Sequence, residues 1–247
     1  MRVASYNIHK GFSQFNRRMV VHELRERLRH LRPDIAFLQE VQGRHLRNER
    51  HYPDWPEQPQ HQFLAEDVWQ QAAYGRSALY DHGHHGNAVL SSFPIVSAQN
   101  QDISDSRLER RGLLHCEIQM PGLPIVHGIC VHLSLRGRGR RRQMCDIAER
   151  IEACVPRNAP LIVAGDFNDW RNRADNLLAE RLELTEVFGG RDGRPARTFP
   201  SNFPVLRLDR IYVRGFGVVS ARVCFGPPWS SISDHAAIVA ELVMEAR

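Results

Sequence analysis

Several acidic, amide and imidazole residues stand where apolar runs end. Asn7 closes the run that begins at Val3, Glu40 follows Phe37-Leu38-Gln39, and His132 follows Ile129-Cys130-Val131. Asp166 and Asn168 come just after Leu161–Ala164, Asp209 interrupts the run from Leu206 to Ile211, and Asp234-His235 immediately precedes Ala236–Val243. Carboxylates are seldom buried without a partner. Convergence on one open end of the strands supplies a shared reason: a polar pocket built from strand termini and held rigidly enough for chemistry.

The residue types narrow that chemistry. Hard carboxylate and amide oxygens with no nearby cysteine suit Mg²⁺ or Mn²⁺ better than structural zinc. If the chain is extended there, Asp166 and Asn168, at i and i+2, point the same way. One can then take a proton while the other steers a water or a phosphoryl oxygen. Protonated His132 and His235 donate to non-bridging phosphate oxygens, and a carboxylate such as Asp209 orients an imidazole and raises its pKa. A divalent ion, an oriented water and imidazolium donors around one oxyanion describe hydrolysis of a phosphate ester. Singly, each piece has a plainer role: an Asp-His turn, Glu40 paired with Arg44, Asn7 bonded to nearby backbone.

The elements that must position these groups follow from hydrophobic spacing. Val3 to Ile8 reads as a strand. Within Met19–Leu31, Val20, Leu24, Leu28 and Leu31 recur at helical spacing, and Pro33-Asp34 ends that helix. Ile35–Leu38 is a continuous apolar run, the mark of a strand buried on both faces. From Gln42 to Tyr80 the chain is polar and aromatic with three prolines, which predicts a long surface connection and then a helix. Strands are predicted at Asn87–Phe93, Gly112–Met120, Ile125–Leu133 and Leu161–Ala164. Leu206–Val213 and Val218–Phe225 read as a strand pair turned by Arg214-Gly215, and Ala236–Val243 as a last strand. Helices are predicted from about Arg141 to Cys154 and over Asn172–Leu182, the latter with Leu177, Leu178 and Leu182 inward. At least eight strands with about four helices is too strand-rich for one doubly wound parallel sheet; two packed sheets with helices outside fit better. No linker, repeat or low-complexity tract interrupts the chain, so one domain over 1–247 is expected.

Composition sets outer bounds. The chain has 247 residues, 42% hydrophobic and 25% charged, which is far from the signature of disorder. Five scattered cysteines with no CxxC pair signal neither a disulfide framework nor a cysteine metal knot. An apolar leader and an 18-residue apolar run are both missing, so a cytoplasmic protein with no transmembrane segment is expected, and a monomer. The net charge is +5, and Arg136, Arg138, Arg140, Arg141 and Arg142 fall in one short segment; Lys10 is the single lysine. Guanidinium forks suit phosphate oxygens. A solvated loop, a nucleic-acid partner and an anionic lipid surface all remain consistent with that segment.

With their flanks, these residues form blocks: Ser5-Tyr6-Asn7-Ile8-His9, Leu38-Gln39-Glu40-Val41, Gly86-Asn87-Ala88-Val89-Leu90-Ser91, Val131-His132-Leu133-Ser134, Ala164-Gly165-Asp166-Phe167-Asn168-Asp169-Trp170, Leu208-Asp209-Arg210-Ile211-Tyr212 and Ser233-Asp234-His235. Over roughly residues 1–244 the chain resembles the endonuclease/exonuclease/phosphatase superfamily, the fold of pancreatic deoxyribonuclease and the abasic endonucleases. That resemblance implies an α+β fold, a four-layer α/β/β/α sandwich of two packed mixed β-sheets flanked by helices. It implies a site with Mg²⁺ or Mn²⁺ held at Glu40 and Asn7 with Asp234 close by. Asp166 resembles the aspartate that activates the attacking water and Asn168 the amide that positions it. His235, with Asp209 as its carboxylate partner, resembles the histidine on the scissile phosphate. His132 stands where deoxyribonuclease-like members carry a second histidine, and Arg111 resembles an arginine near the phosphate. Asn87, His9, Arg141 and Arg142 complete the expected substrate contacts. One departure is His9, where abasic endonucleases carry Asp; it weakens the case for a second metal and for abasic-site repair. His9 and Lys10 either present positive charge to the phosphate or shape a loop. His82, His84 and His85 are expected to be solvated loop residues.

The expected activity is metal-dependent hydrolysis of a phosphodiester by in-line attack of an activated water, with DNA as first substrate. A phospholipid or sphingomyelin-type phosphodiesterase, an inositol-phosphate phosphatase, and an inactive scaffold of the same fold are the alternatives.

Overall fold

The chain is described from a computed structural model over residues 1–171, 176–189 and 195–245. Among these, twelve strands form two six-stranded sheets. The strands are β1 (Arg2–Asn7), β2 (Ile35–His45), β3 (Gln71–Tyr80), β4 (Gly83–Ser91), β5 (Ile95–Asp102), β6 (Gly112–Ile118), β7 (Val126–His132), β8 (Leu161–Asp166), β9 (Thr185–Glu186), β10 (Asp209–Arg214), β11 (Phe216–Cys224) and β12 (Ala237–Met244). The first sheet runs β11-β12-β1-β2-β4-β3 and the second β5-β6-β7-β8-β10-β9. Each mixes parallel pairs (β1 with β2, β7 with β8) and antiparallel ones.

The inner faces of the two sheets close on one apolar layer that includes Phe37, Val89, Leu114, Ile162, Ile211 and Ile238. Outside the first sheet, α1 (Val21–Leu31) buries Val21, Leu24, Leu28 and Leu31 against Ala36, Leu38 and Val239. These four positions recur on one helical face, and Arg32, with φ +47°, ends the helix in a left-handed cap. Outside the second sheet, α4 (Gly137–Cys154) lays Met144, Ile147 and Ile151 on Leu113, Ile129 and Leu161. The four layers expected from the sequence are therefore present.

Three expectations are corrected. The stretch Gln42–Tyr80 is not a connection ending in a helix. β2 continues to His45, short helices α2 (Leu46–His51) and α3 (Gln60–Ala65) follow, and the segment closes with strand β3. β3 and β5 are edge strands with many exposed positions, so their apolar content is too low to announce a strand; pairing with β4 and β6 supplies the order. The arginine segment is not a loop but the first turns of α4, which starts at Gly137 rather than near Arg141. Arg140 is buried there, donating to the carbonyls of Ser134 (3.1 Å) and Leu135 (2.6 Å), with its guanidinium 4.8 Å over the Trp170 ring. Third, His84 and His85 lie in β4, and His85 is buried. Of the helix expected at Asn172–Leu182, residues 172–175 lie outside the described residues. Asn176–Glu180 is a π-helical turn, with Leu178 and Leu182 buried.

Candidate active site

The site forms where both sheets end on the same side. Parallel pairing of β7 with β8 sets His132 beside Asp166, and antiparallel pairing of β10 with β8 sets Asp209 on its other flank. Gly165 makes that close approach possible: at φ +151° a Cβ there would lie 1.9 Å from the Val131 carbonyl oxygen. From the opposite sheet, Asn7 at the end of β1 donates its Nδ2 to Asp166 Oδ2 at 3.1 Å. His235, just before β12, places Nε2 at 3.7 Å from the same oxygen and donates Nδ1 to Asp209 Oδ2 at 2.8 Å. His132 Nε2 lies 3.4 Å from Asp166 Oδ2. Asp166, Asp209, His132, His235 and Asn7 are all buried.

Burial and neighbours set the charges. Burial raises the Asp166 carboxyl, the His235 cation pulls it back and Asp209 raises it again, leaving it at about 6. Burial disfavours the His235 imidazolium, but Asp209 and Asp166 outweigh it and push the group up to about 10. His132 goes the other way: burial, reinforced by Arg111 and His235, drives it well below its ordinary value, so it is neutral. One cationic and one neutral imidazole thus flank one carboxylate, rather than the two imidazoliums the sequence suggests.

Glu40 stands on a bulge. The register of β2 against β4 shifts between Leu38 and Val41, and Glu40 takes φ +56°, which turns its carboxylate out of the ladder. Asn7 pairs with Gln39 in the parallel ladder, so the bulge lies beside the end of β1. Glu40 Oε2 is 3.4 Å from Lys10 Nζ. Burial raises the Glu40 carboxyl, and Lys10, His85, His9 and His235 together overcome this and hold it below its usual value. Asp234 is likewise raised by burial but held low by a bond to His9, Oδ1 to Nδ1 at 2.7 Å. His9, Lys10, Glu40 and Asn168 all have positive φ, a concentration of left-handed backbone at the site.

A divalent cation fits the Glu40 side of this arrangement better than the Asp209 side. Asp166, Asp209 and His235 lie close enough to share an ion, yet Asp209 and His235 already spend their facing atoms on a hydrogen bond. Glu40 and Asp234 offer hard oxygens that are partly exposed, where those of Asp166 and Asp209 are buried; Asp234 Oδ1 is bonded to His9, which leaves Glu40, 3.4 Å from Lys10, as the more open ligand.

The remaining expected residues are distributed unevenly. Asn168 does not continue the strand. At φ +50° it turns back, giving its N–H to Asp166 Oδ1 (2.9 Å) and its side-chain amide to the Leu133 carbonyl (2.9 Å), so the i, i+2 alignment gives way to an Asx turn. Arg111 is fixed at the mouth, Nε donating to Leu133 O (3.1 Å) and Nη2 to Glu109 (3.1 Å). Asn87 lines the same small cavity as Arg111, His85 and His132, but its amide nitrogen donates to Gly112 O and Cys130 O, tying the two sheets together. His9 is engaged by Asp234 and Asn16. Arg141 and Arg142 sit exposed on α4; Arg142 pairs with Asp105, and neither makes a hydrogen bond or ion pair to the cluster among the described residues.

His85 is the residue sequence reasoning missed. It is buried on the same face of β4 as Asn87, bonded to the Tyr80 hydroxyl, and lowered by burial to about 4 despite Glu40. Its i, i+2 spacing to Asn87 was the available signal.

Comparison with known proteins places the chain in a family and a fold. The model of the endonuclease/exonuclease/phosphatase family matches residues 4–235. The uncharacterized protein YbhP of Escherichia coli K12 is 45% identical over 242 residues, 98% of this chain and 95% of YbhP. Among solved structures, the human Nocturnin catalytic domain with bound sulfate superposes with a TM-score of 0.75 at 21% identity, covering 99% of this chain and 93% of that one. A Bacteroides thetaiotaomicron mannosyl-6-phosphatase superposes with a TM-score of 0.72 at 19% identity, covering 99% and 100%. At such identities these structures speak for the fold, while the family match spans nearly every element that builds the site. The chain belongs to the endonuclease/exonuclease/phosphatase family, whose members are phosphoester hydrolases.

Proposed function

We propose that this protein is a divalent-metal-dependent phosphodiesterase acting on nucleic acid, DNA first. The observation that carries the phosphoester-hydrolase part of the reading is the line Asp209–His235–Asp166–Asn7, four buried polar residues drawn from both sheets to one point.

The chain's own groups divide the work. Asp166, with one oxygen held by Asn7 and the other by the Asn168 N–H, accepts the proton of the attacking water; a carboxyl near 6 is matched to that task around neutral pH. The His235 imidazolium, oriented by Asp209, directs Nε2–H at a non-bridging phosphoryl oxygen, where negative charge grows as the water oxygen bonds to phosphorus; the ester P–O bond then breaks and its oxygen leaves as an alcohol, protonated from solvent. Neutral His132 adds a second N–H donor, and Arg111 holds the phosphate from the mouth. Glu40, with Asn7 and Asp234 beside it, would hold Mg²⁺ or Mn²⁺, which would supply positive charge to stabilise the phosphoryl oxygens. No described helix is long and apolar enough to cross a membrane.

A second reading, a phospholipid phosphodiesterase, is favoured by exposed apolar residues near the mouth. Leu108 is 92% exposed beside Glu109, the partner of Arg111, and exposed Leu135 donates its N–H to Glu109. Exposed Phe15 adjoins Asn16, which bonds His9.

A metal-supplemented screen of plasmid DNA, oligonucleotides, RNA, phospholipid vesicles and soluble inositol phosphates separates these. Cleavage of DNA that falls steeply between low and physiological salt is the expected result; product released from vesicles alone contradicts the nucleic-acid reading.

A further inference from the structure

A cavity of about 450 Å³ adjoins the catalytic mouth, outside the cluster described above. Arg76, Arg107, Arg110 and Arg111 line it with Ser77 and Asp102. Ser77, Arg110 and Arg111 also line the small cavity that holds His85, Asn87 and His132. The two spaces therefore share a wall, and that wall carries Arg111, the arginine set against the reacting phosphate above.

Four guanidinium groups face one carboxylate here. Asp102 Oδ2 takes Arg110 Nη1 at 3.3 Å, and Arg111 is occupied by Glu109 and Leu133 O. The side chains of Arg76 and Arg107 are exposed and carry no hydrogen bond or ion pair among the described residues. Ser77 Oγ is buried from solvent and has no hydrogen-bond partner. Uncompensated like charges lining one concavity repel each other unless an anion sits between them, and guanidinium forks match phosphoryl oxygens in number and plane.

We infer that this cavity is a second phosphate subsite: the protein acts on a substrate that carries another phosphoryl group next to the one it hydrolyses. The inference rests on the phosphodiesterase reading and narrows its substrate. A neighbouring phosphate is offered by a nucleotide chain and equally by a multiply phosphorylated inositol, and both share the chemistry that Arg76 and Arg107 recognise.

The test compares paired substrates in the Mg²⁺-supplemented protein. One pair is thymidine 5′-(p-nitrophenyl phosphate) with and without a 3′-phosphate; the other is glycerophosphoinositol with and without a 4-phosphate. In at least one pair the extra phosphate should raise kcat/KM by about 10- to 100-fold, mainly through KM, the scale of charge-assisted hydrogen bonds. The double variant Arg76→Ala/Arg107→Ala should lose that preference while turning over the singly phosphorylated partner as wild type does. Which pair responds identifies the source of the phosphate. No preference in either pair, or a preference that survives in the variant, overturns the subsite.

Binding gives a readout that does not depend on turnover. Calorimetric titration with thymidine 3′,5′-bisphosphate and thymidine 5′-phosphate, and with inositol 1,4-bisphosphate and inositol 1-phosphate, should show the same selectivity and its loss in the variant. If wild type hydrolyses none of the four esters, the phosphodiesterase reading fails, and these titrations alone decide the subsite. Equal affinities within both ligand pairs would then overturn it.

Discussion

His235 Nδ1 lies 2.8 Å from Asp209 Oδ2, in a buried pair that joins the segment before β12 to the first residue of β10. The pair bridges the two sheets at the edge where Asn7 meets Asp166. It fixes which ring nitrogen faces inward and keeps the imidazole cationic, so Nε2–H is presented as a donor.

Breaking that pair should cost turnover more than fold. Asp209→Asn leaves His235 without its carboxylate partner, and kcat should fall by about 10²- to 10⁴-fold, the range of positioned acid–base groups. Steady-state kinetics with thermal unfolding as control checks this; an Asp209→Asn protein with unchanged kcat contradicts the assigned orientation.

Chelation should abolish turnover and Mg²⁺ or Mn²⁺ should restore it. Glu40→Gln removes the most open carboxylate of the site and should raise the metal concentration needed for half-maximal activity by about tenfold or more. Metal titration followed by activity and by calorimetry reads the effect directly.

Stability should fall on mild acidification. His115 is 4% exposed and hydrogen-bonded to His127, Nε2 to Nδ1 at 3.0 Å; burial, then His127 and Arg150, push it down to about 4. The unfolded chain takes up a proton near pH 6.5 and the folded chain only near 4. The stabilisation is therefore complete above 6.5 and is lost as pH falls through that window, at about 1.4 kcal/mol per pH unit for this group. Denaturant melts between pH 7 and 4 should show the slope, and His115→Phe should reduce it by this group's share while the buried His85 and His132 keep theirs.

Arg140→Ala should destabilise the start of α4. The guanidinium satisfies the carbonyls of Ser134 and Leu135 and stacks on Trp170; its loss leaves the buried Ser134 carbonyl without that partner, a cost of about 1–3 kcal/mol. Chemical denaturation measures it, and an unchanged midpoint contradicts the assigned role.

Asn7, Glu40, Asp166, Asp209 and His235 were legible in the sequence because each ends or interrupts an apolar run, and strand ends at one edge are where two stacked sheets leave room for polar groups. The layer order followed from strand count in the same way. What escaped was set by partners distant in sequence. β3 and β5 are edge strands whose exposed residues hide the period, and they exist because β4 and β6 offer an open ladder. The arginine segment reads as a solvated loop until Arg140 is seen to be buried on the carbonyls of Ser134 and Leu135. His85 was masked by the glycines around it, and its burial depends on Tyr80 across the hairpin. Asn168 looked like the next inward residue of a strand, but its backbone turns left-handed to cap Asp166.

The most direct measurement is single-turnover hydrolysis of bis(p-nitrophenyl) phosphate in saturating Mg²⁺ by the wild type and by Asp166→Asn. The account predicts that the wild type releases nitrophenol and that the variant, folded and with its thermal midpoint within a few degrees, is slower by about 10²- to 10⁴-fold. A folded Asp166→Asn protein that matches the wild-type rate would contradict it.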